Sequence, residues 1–186
     1  MLFAKIYIFI LFFLHNLLGI KFYGLGIIQN IIISDYVLSF KNKKIFYNHK
    51  IKGSYDLLII GKSNEPETHL FINFVIPKLN NCSFVDIGAS VGEMVIGVSV
   101  FDNIEKIYAF ELRRECAEVI MRSCEMNQEK RVKVYQKALG NKKGTIEFCD
   151  DRSGSGSGVY ERDLDLNVKK SEVDPMYLHL MRRYRD

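Results

Sequence analysis

The run Phe84-Val85-Asp86-Ile87-Gly88-Ala89-Ser90-Val91-Gly92 is apolar, carries one acid and breaks into a turn that bears two glycines. Glycines at such a break let the backbone turn sharply and let a ligand approach the main chain, and a helix starting near Gly92 would present its N-terminal amides. The spacing Asp-x-Gly-x-x-x-Gly has no second glycine two residues after the first, where a pyrophosphate needs close backbone approach. Two readings fit the loop taken alone: a nucleotide-like cofactor that lacks a pyrophosphate, and a tight strand-to-helix turn with no ligand. A second apolar run, Ile107-Tyr108-Ala109-Phe110, ends in Glu111, about 20 residues past the glycine turn, where dinucleotide folds place an acid on the ribose hydroxyls. The alternative role for Glu111 is that of an acid at a helix N-terminus, complementing the dipole. Asp86, the glycines and Glu111 together are far more specific than any one of them.

The elements that would position these residues alternate in type. Residues 36–40 alternate apolar and polar, with Tyr36, Leu38 and Phe40 on one face; the polar turn 41–44 and the apolar run 45–47 complete a hairpin pattern. Residues 56–60 read as a further strand closed by Gly61. Pro66 is placed to open a helix in which Leu70, Phe71, Phe74 and Val75 make one buried face, ended by Pro77. Strand 83–87, helix 92–101, strand 106–110, helix 114–126 and strand 132–135 follow, and strand 145–149 after them. The β-α-β-α-β order implies parallel strands joined by right-handed crossovers. The Ser/Gly stretch 151–158 has the composition of a flexible linker, and Asp174-Pro175 reads as the start of a short terminal helix with Met176, Tyr177, Leu180, Met181 and Tyr184 on one face.

The chain has 186 residues, 48% hydrophobic and 26% charged, enough for one well-buried domain. Its formal charge of +4 is spread over several short basic runs, which read as solvated faces, so no nucleic-acid partner is expected. Cys82, Cys116, Cys124 and Cys149 have neither paired spacing nor nearby histidines suited to zinc, so no metal site is expected and a reducing cytoplasm suits them. Cys116 and Cys124 lie eight residues apart, near one face of a helix, as small apolar core residues. Residues 6–20 carry no fixed charge, yet a helix of that length covers roughly 22 Å, short of the ~30 Å hydrocarbon core. A short membrane anchor, a helix lying in the membrane surface and an apolar helix packed on the domain all fit. Localisation is accordingly read as cytoplasmic, with attachment to the cytoplasmic membrane through residues 6–20 as the variant.

The sequence resembles the S-adenosylmethionine-dependent methyltransferases, and among them the FkbM family. The glycine-turn run 84–92 is similar to the family's first motif and Tyr108-Ala109-Phe110-Glu111 to its second. Lys137-Ala138-Leu139-Gly140-Asn141-Lys142-Lys143-Gly144-Thr145-Ile146-Glu147-Phe148 resembles the segment after the third strand. The resemblance covers roughly residues 45–158. It implies a Rossmann-like class I methyltransferase sheet, incomplete at its C-terminal half, preceded by an N-terminal apolar helix (1–31) and a hairpin-and-helix extension (32–80). The cofactor-binding half-domain then spans 81–150, and the Ser/Gly stretch with the terminal helix spans 151–186. S-adenosylmethionine is the implied cofactor. Asp86 and Gly88 would hold its methionine part, Glu111 the ribose, and Lys137 and Ala138 would border the adenine, with Ala89 and Gly92 also among the cofactor-binding residues. The implied reaction is methyl transfer to a hydroxyl of a sugar, glycan or secondary metabolite, in which the protein aligns acceptor oxygen, methyl and sulfur. No catalytic base is assigned: His179, Asp150 and Asp151 read first as surface or loop residues. Two rivals stand beside this reading, a non-catalytic remnant that binds the cofactor or a partner, and a membrane-attached interaction protein. The open edge expected of an incomplete sheet invites association, which makes a homodimer an expected partner.

Overall fold

The computed structural model describes residues 36–48, 50, 51, 55, 58, 62–149 and 168–175, together with Ile6, Phe9, Ile10, Phe13, Leu14 and Leu17. Strands β1 (Tyr36–Phe40) and β2 (Lys43–Tyr47) pair as an antiparallel hairpin. Its two-residue turn, Lys41-Asn42, has positive φ at both positions, the geometry that matches the twist of paired strands. Leu38, Phe40, Ile45 and Tyr47 point to the same side and are buried. Helix α1 (Pro66–Val75) starts with Pro66 in its first turn and passes into a single 3-10 turn, Ile76–Lys78.

The alternating core follows: β3 (Cys82–Ile87), α2 (Glu93–Val98), β4 (Ile104–Phe110), α3 (Arg114–Met126) and β5 (Val132–Tyr135). The three strands form a parallel sheet in the order β3-β4-β5. Helix α3 buries Cys116, Ala117, Val119, Ile120, Ser123 and Cys124, the stripe in which Cys116 and Cys124 were expected. The hairpin docks on this helix through directional contacts. Phe46 N–H donates to Ser123 Oγ at 2.9 Å, and the Asn127 side chain accepts from Lys44 N–H and donates to Lys44 C=O. Register decides what reaches the top of the sheet: Asp86 lies beside Ala109, Ile87 beside Phe110, and Phe110 beside Tyr135. The residues just past β3 and β4 therefore emerge together.

A second sheet, β6 (Ala138–Gly140), β7 (Gly144–Cys149) and β8 (Val168–Pro175), has β8 at its centre, parallel to β6 and antiparallel to β7.

Two expectations need correction. Asp174-Pro175 does not open a helix; both residues end β8, with Pro175 at the last position of the strand, opposite Gly140. That pairing is long-range, and its partners lie more than thirty residues earlier. In α1 the face carrying Leu70, Phe71 and Phe74 is exposed, at 69%, 66% and 64%, whereas His69 is buried. The inner face of the helix carries His69, whose ring meets Lys41 and Glu93, together with Ile72 and, just past the helix, Ile76, which pack on the core.

Most of 6–20, of 56–60 and all of 150–167 and 176–186 lie outside the described residues, including His179, Asp150 and Asp151. Among the described residues no helix is long and apolar enough to cross a membrane.

Candidate functional site

The turn after β3 is held by main-chain bonds. Gly88 and Ala89 N–H groups both donate to Phe110 C=O, at 2.8 and 3.1 Å, which pins the turn to the end of β4. Gly88 (φ 81°), Ser90 (φ 48°) and Gly92 (φ 80°) all adopt left-handed backbone within five residues. Gly92 N–H donates to Ala89 C=O at 2.7 Å, and Gly92 C=O then accepts the first bond of α2, from Ile96 N–H. The two glycines serve different ends. A Cβ at Gly88 would meet nothing within 4 Å, so the space beside it is open, whereas one at Gly92 would lie 2.9 Å from Ile120 on α3. Gly92 is therefore required by packing, and Gly88 leaves room for a ligand against the backbone.

Glu111 closes the arrangement. Its carboxylate accepts from Ser90 N–H at 2.8 Å and from Arg113 N–H at 2.7 Å, so it ties the glycine turn to the turn after β4. Each carboxylate oxygen retains acceptor capacity beyond those bonds. Burial pushes the Glu111 pKa upward, opposed by the N–H donors of Arg113 and Ser90. Asp86 is mostly buried, and its Oδ2 has no hydrogen-bond partner among the described residues. Burial first, then the carboxylates of Glu65 and Glu111, push its pKa up to about 6. A buried acceptor without a donor is costly unless a ligand supplies one.

These groups face one cleft of about 600 Å³. Asp86, Gly88, Ala89 and Glu111 line it, with Asn64, Glu65 and Thr68 from the start of α1 and the segment before it, and Glu93 and Met94 from α2. Of the residues singled out in the sequence, Gly92, Lys137 and Ala138 are not in the lining. Lys137 instead lies 3.1 Å from Asp174 and 3.2 Å from Glu172 of β8, and Ala138 pairs with Val173. Glu65, Glu93 and His69 were not anticipated. Glu93 follows the glycine turn as an acid in the first turn of a helix, a signal present but common; His69 had no signal, because only the fold brings it to Glu93. Among the described residues no group of three or more His, Cys, Asp or Glu could hold a metal ion.

The cleft fits a cation that also carries hydroxyls. Asp86 offers an unused buried acceptor, Glu111 offers further lone pairs, and the space over Gly88 admits a group against the backbone.

No protein-family model matches the chain. No curated protein matches it either. Solved structures that it is similar to include Methanocaldococcus jannaschii Trm5 in complex with adenosine, at 17% identity and TM-score 0.40, covering 56% of this chain and 29% of that one. A second is the tRNA m1G37 methyltransferase of M. jannaschii, at 14% identity and TM-score 0.40, covering 57% and 33%. A third is methyltransferase FkbM from Methylobacillus flagellatus KT, at 15% identity and TM-score 0.33, covering 67% and 33%. The chain thus spans about a third of the length of these structures.

Proposed function

We propose that the chain carries the S-adenosylmethionine-binding part of a methyltransferase of FkbM type, whose acceptor is a hydroxyl of a sugar, glycan or secondary metabolite. The observation that carries this reading is the joined loop pair. Phe110 C=O holds the glycine turn, Glu111 reaches back to Ser90, and Asp86 keeps a buried oxygen without a donor beside them.

When bound, the cofactor supplies an already activated methyl group on a sulfonium. Asp86 would accept from the cofactor's ammonium, which removes the orphaned oxygen, and Glu111 would accept from ribose hydroxyls with its remaining lone pairs. Ala89 and the open face of Gly88 would border the methionine part, and Ile87 and Leu112, also in the lining, supply apolar wall. Lys137 and Ala138 would border the adenine only if the segment after β5 closes over the cleft. Residues 6–20 remain a proposed route of attachment to the cytoplasmic membrane, tested by fractionation of the chain with and without them. Self-association is a proposal of the same kind, read out by light scattering.

The test of the cofactor site is calorimetric titration with S-adenosylmethionine and S-adenosylhomocysteine. Micromolar binding that is lost in Glu111→Ala and Gly88→Val supports the reading and justifies an acceptor screen. A folded wild-type chain that binds neither compound refutes it.

A further inference from the structure

A polar array with a buried centre reaches the same cleft, and nothing in the cofactor contacts above uses it. Its outer end is Lys41, in the hairpin turn, at φ 47°. Left-handed backbone is strained for a side-chain-bearing residue, and Asn or Gly is the usual occupant of such a position. The lysine places its amine 2.9 Å from His69 Nδ1. An ammonium has donors only, so it donates to Nδ1, and the single ring proton then sits on Nε2. That nitrogen is 2.9 Å from Glu93 Oε1 and donates to it. Asn64 adds its backbone N–H to Oε1 at 2.9 Å and its side-chain amide to Oε2 at 2.5 Å.

The array is built into the fold. His69 is 3% exposed and Glu93 8%. Space for the imidazole exists because residue 97 is glycine: a Cβ there would lie 2.9 Å from His69 Cε1. The ring also packs edge-on against Phe40, with centroids 5.5 Å apart. The hairpin, α1, the segment before α1, and α2 all contribute, and the array ends at Glu93 and Asn64 in the cleft lining. Three N–H donors fix the Glu93 carboxylate in place, so its charge cannot be turned away from a ligand without breaking them.

We infer that Glu93 is the residue by which this cleft separates S-adenosylmethionine from S-adenosylhomocysteine, with His69 and Lys41 as positioning residues that hold its carboxylate. The inference rests on the methyltransferase reading. The two compounds share ammonium, carboxylate, ribose and adenine, and differ by one methyl and one positive charge. Asp86 and Glu111 are taken up by groups that the two compounds share. A buried carboxylate in a fixed position favours the sulfonium over the neutral thioether. In the reaction the acceptor oxygen forms a bond to the methyl carbon, the C–S bond breaks with its electron pair left on sulfur, and the acceptor's proton passes to solvent. The sulfur is then neutral, and the attraction to Glu93 that held the substrate cofactor is gone, which promotes product release.

The test is titration calorimetry of the full chain with each compound, for wild type and for Glu93→Gln, His69→Leu, His69→Gln and Asp86→Asn, with thermal unfolding run on every variant. Glu93→Gln and His69→Leu are expected to weaken S-adenosylmethionine roughly tenfold, about 1.4 kcal/mol, and the homocysteine compound less than about threefold. His69→Gln keeps an amide donor and a carbonyl acceptor and should retain the preference. Asp86→Asn, which acts on the ammonium the two compounds share, should weaken both compounds. Lys41→Met, at a half-buried turn residue, should reduce the preference in the same direction by a smaller factor. Equal losses for both compounds in the Glu93 and His69 variants would reduce the array to a structural clamp and overturn the inference alone. Failure of wild type to bind either compound would overturn it together with the methyltransferase reading.

Discussion

Asp86 shows at the scale of one residue what the cleft costs the chain. Its pKa rises from the ordinary 3.8 to about 6 on folding, so between those values the folded chain binds more protons than the unfolded one. Stability contributed by this group is fully present below about pH 4 and is lost as pH rises through about 6, a change on the order of 3 kcal/mol by linkage. Asp86→Asn should remove that dependence. Urea denaturation at pH 4.5 and 7.5 should show the variant gaining on wild type at the higher pH, and parallel curves would mean that Asp86 is not desolvated. Cofactor affinity should move the opposite way in wild type, strengthening as Asp86 ionises. The glycines make a second contrast. Gly88→Ala meets only backbone strain, about 1–2 kcal/mol, whereas Gly92→Ala adds overlap with Ile120 and should cost about 1–3 kcal/mol more. Denaturant midpoints rank the two; the reverse order would exclude the packing role of Gly92.

At the scale of elements, α2 is only six residues long and depends on what grips its ends. At its C-terminal end the Arg131 guanidinium donates to the carbonyls of Ser99, Phe101 and Ile104, at 2.6 to 2.9 Å, and is held by Glu129. The planar fork matches several carbonyls at once, which an ammonium cannot do. Arg131→Ala is expected to cost about 2–4 kcal/mol, with Arg131→Lys recovering less than half, as read from thermal or urea unfolding. Helix α1 has the opposite character. Its exposed Leu70, Phe71 and Phe74 should tolerate polar replacement within about 0.5 kcal/mol, whereas Ile96→Ala on α2 should cost about 2–5 kcal/mol. Periodicity in α1 was legible, but not which face turns inward, because the partners of His69 lie on distant segments, Lys41 and Glu93.

Across the whole molecule, the parallel sheet and the hairpin share one core, and β8 sits between β6 and β7, which do not pair with each other. Removing residues 168–175 should therefore cost residues 138–149 their amide protection in hydrogen exchange while β4 keeps its own; retained protection there would show that β6 and β7 order without β8. Much of this architecture was open to reading along the chain. Helix 114–126 and strand 132–135 fall where periodicity put them, and Asp86, Gly88, Ala89 and Glu111 meet in one cleft because acid, turn and second acid sit at strand ends that a parallel register must align. Local patterns carry such information because side-chain period and turn chemistry act over a few residues. Contacts between distant segments are not written in any local pattern. The centre of the second sheet, the pairing of Lys137 with Glu172 and Asp174, and the line from Lys41 through His69 to Glu93 join residues 19 to 37 positions apart. Only closure of the chain, where burying a polar group demands a partner from whatever segment lies nearest, decided them.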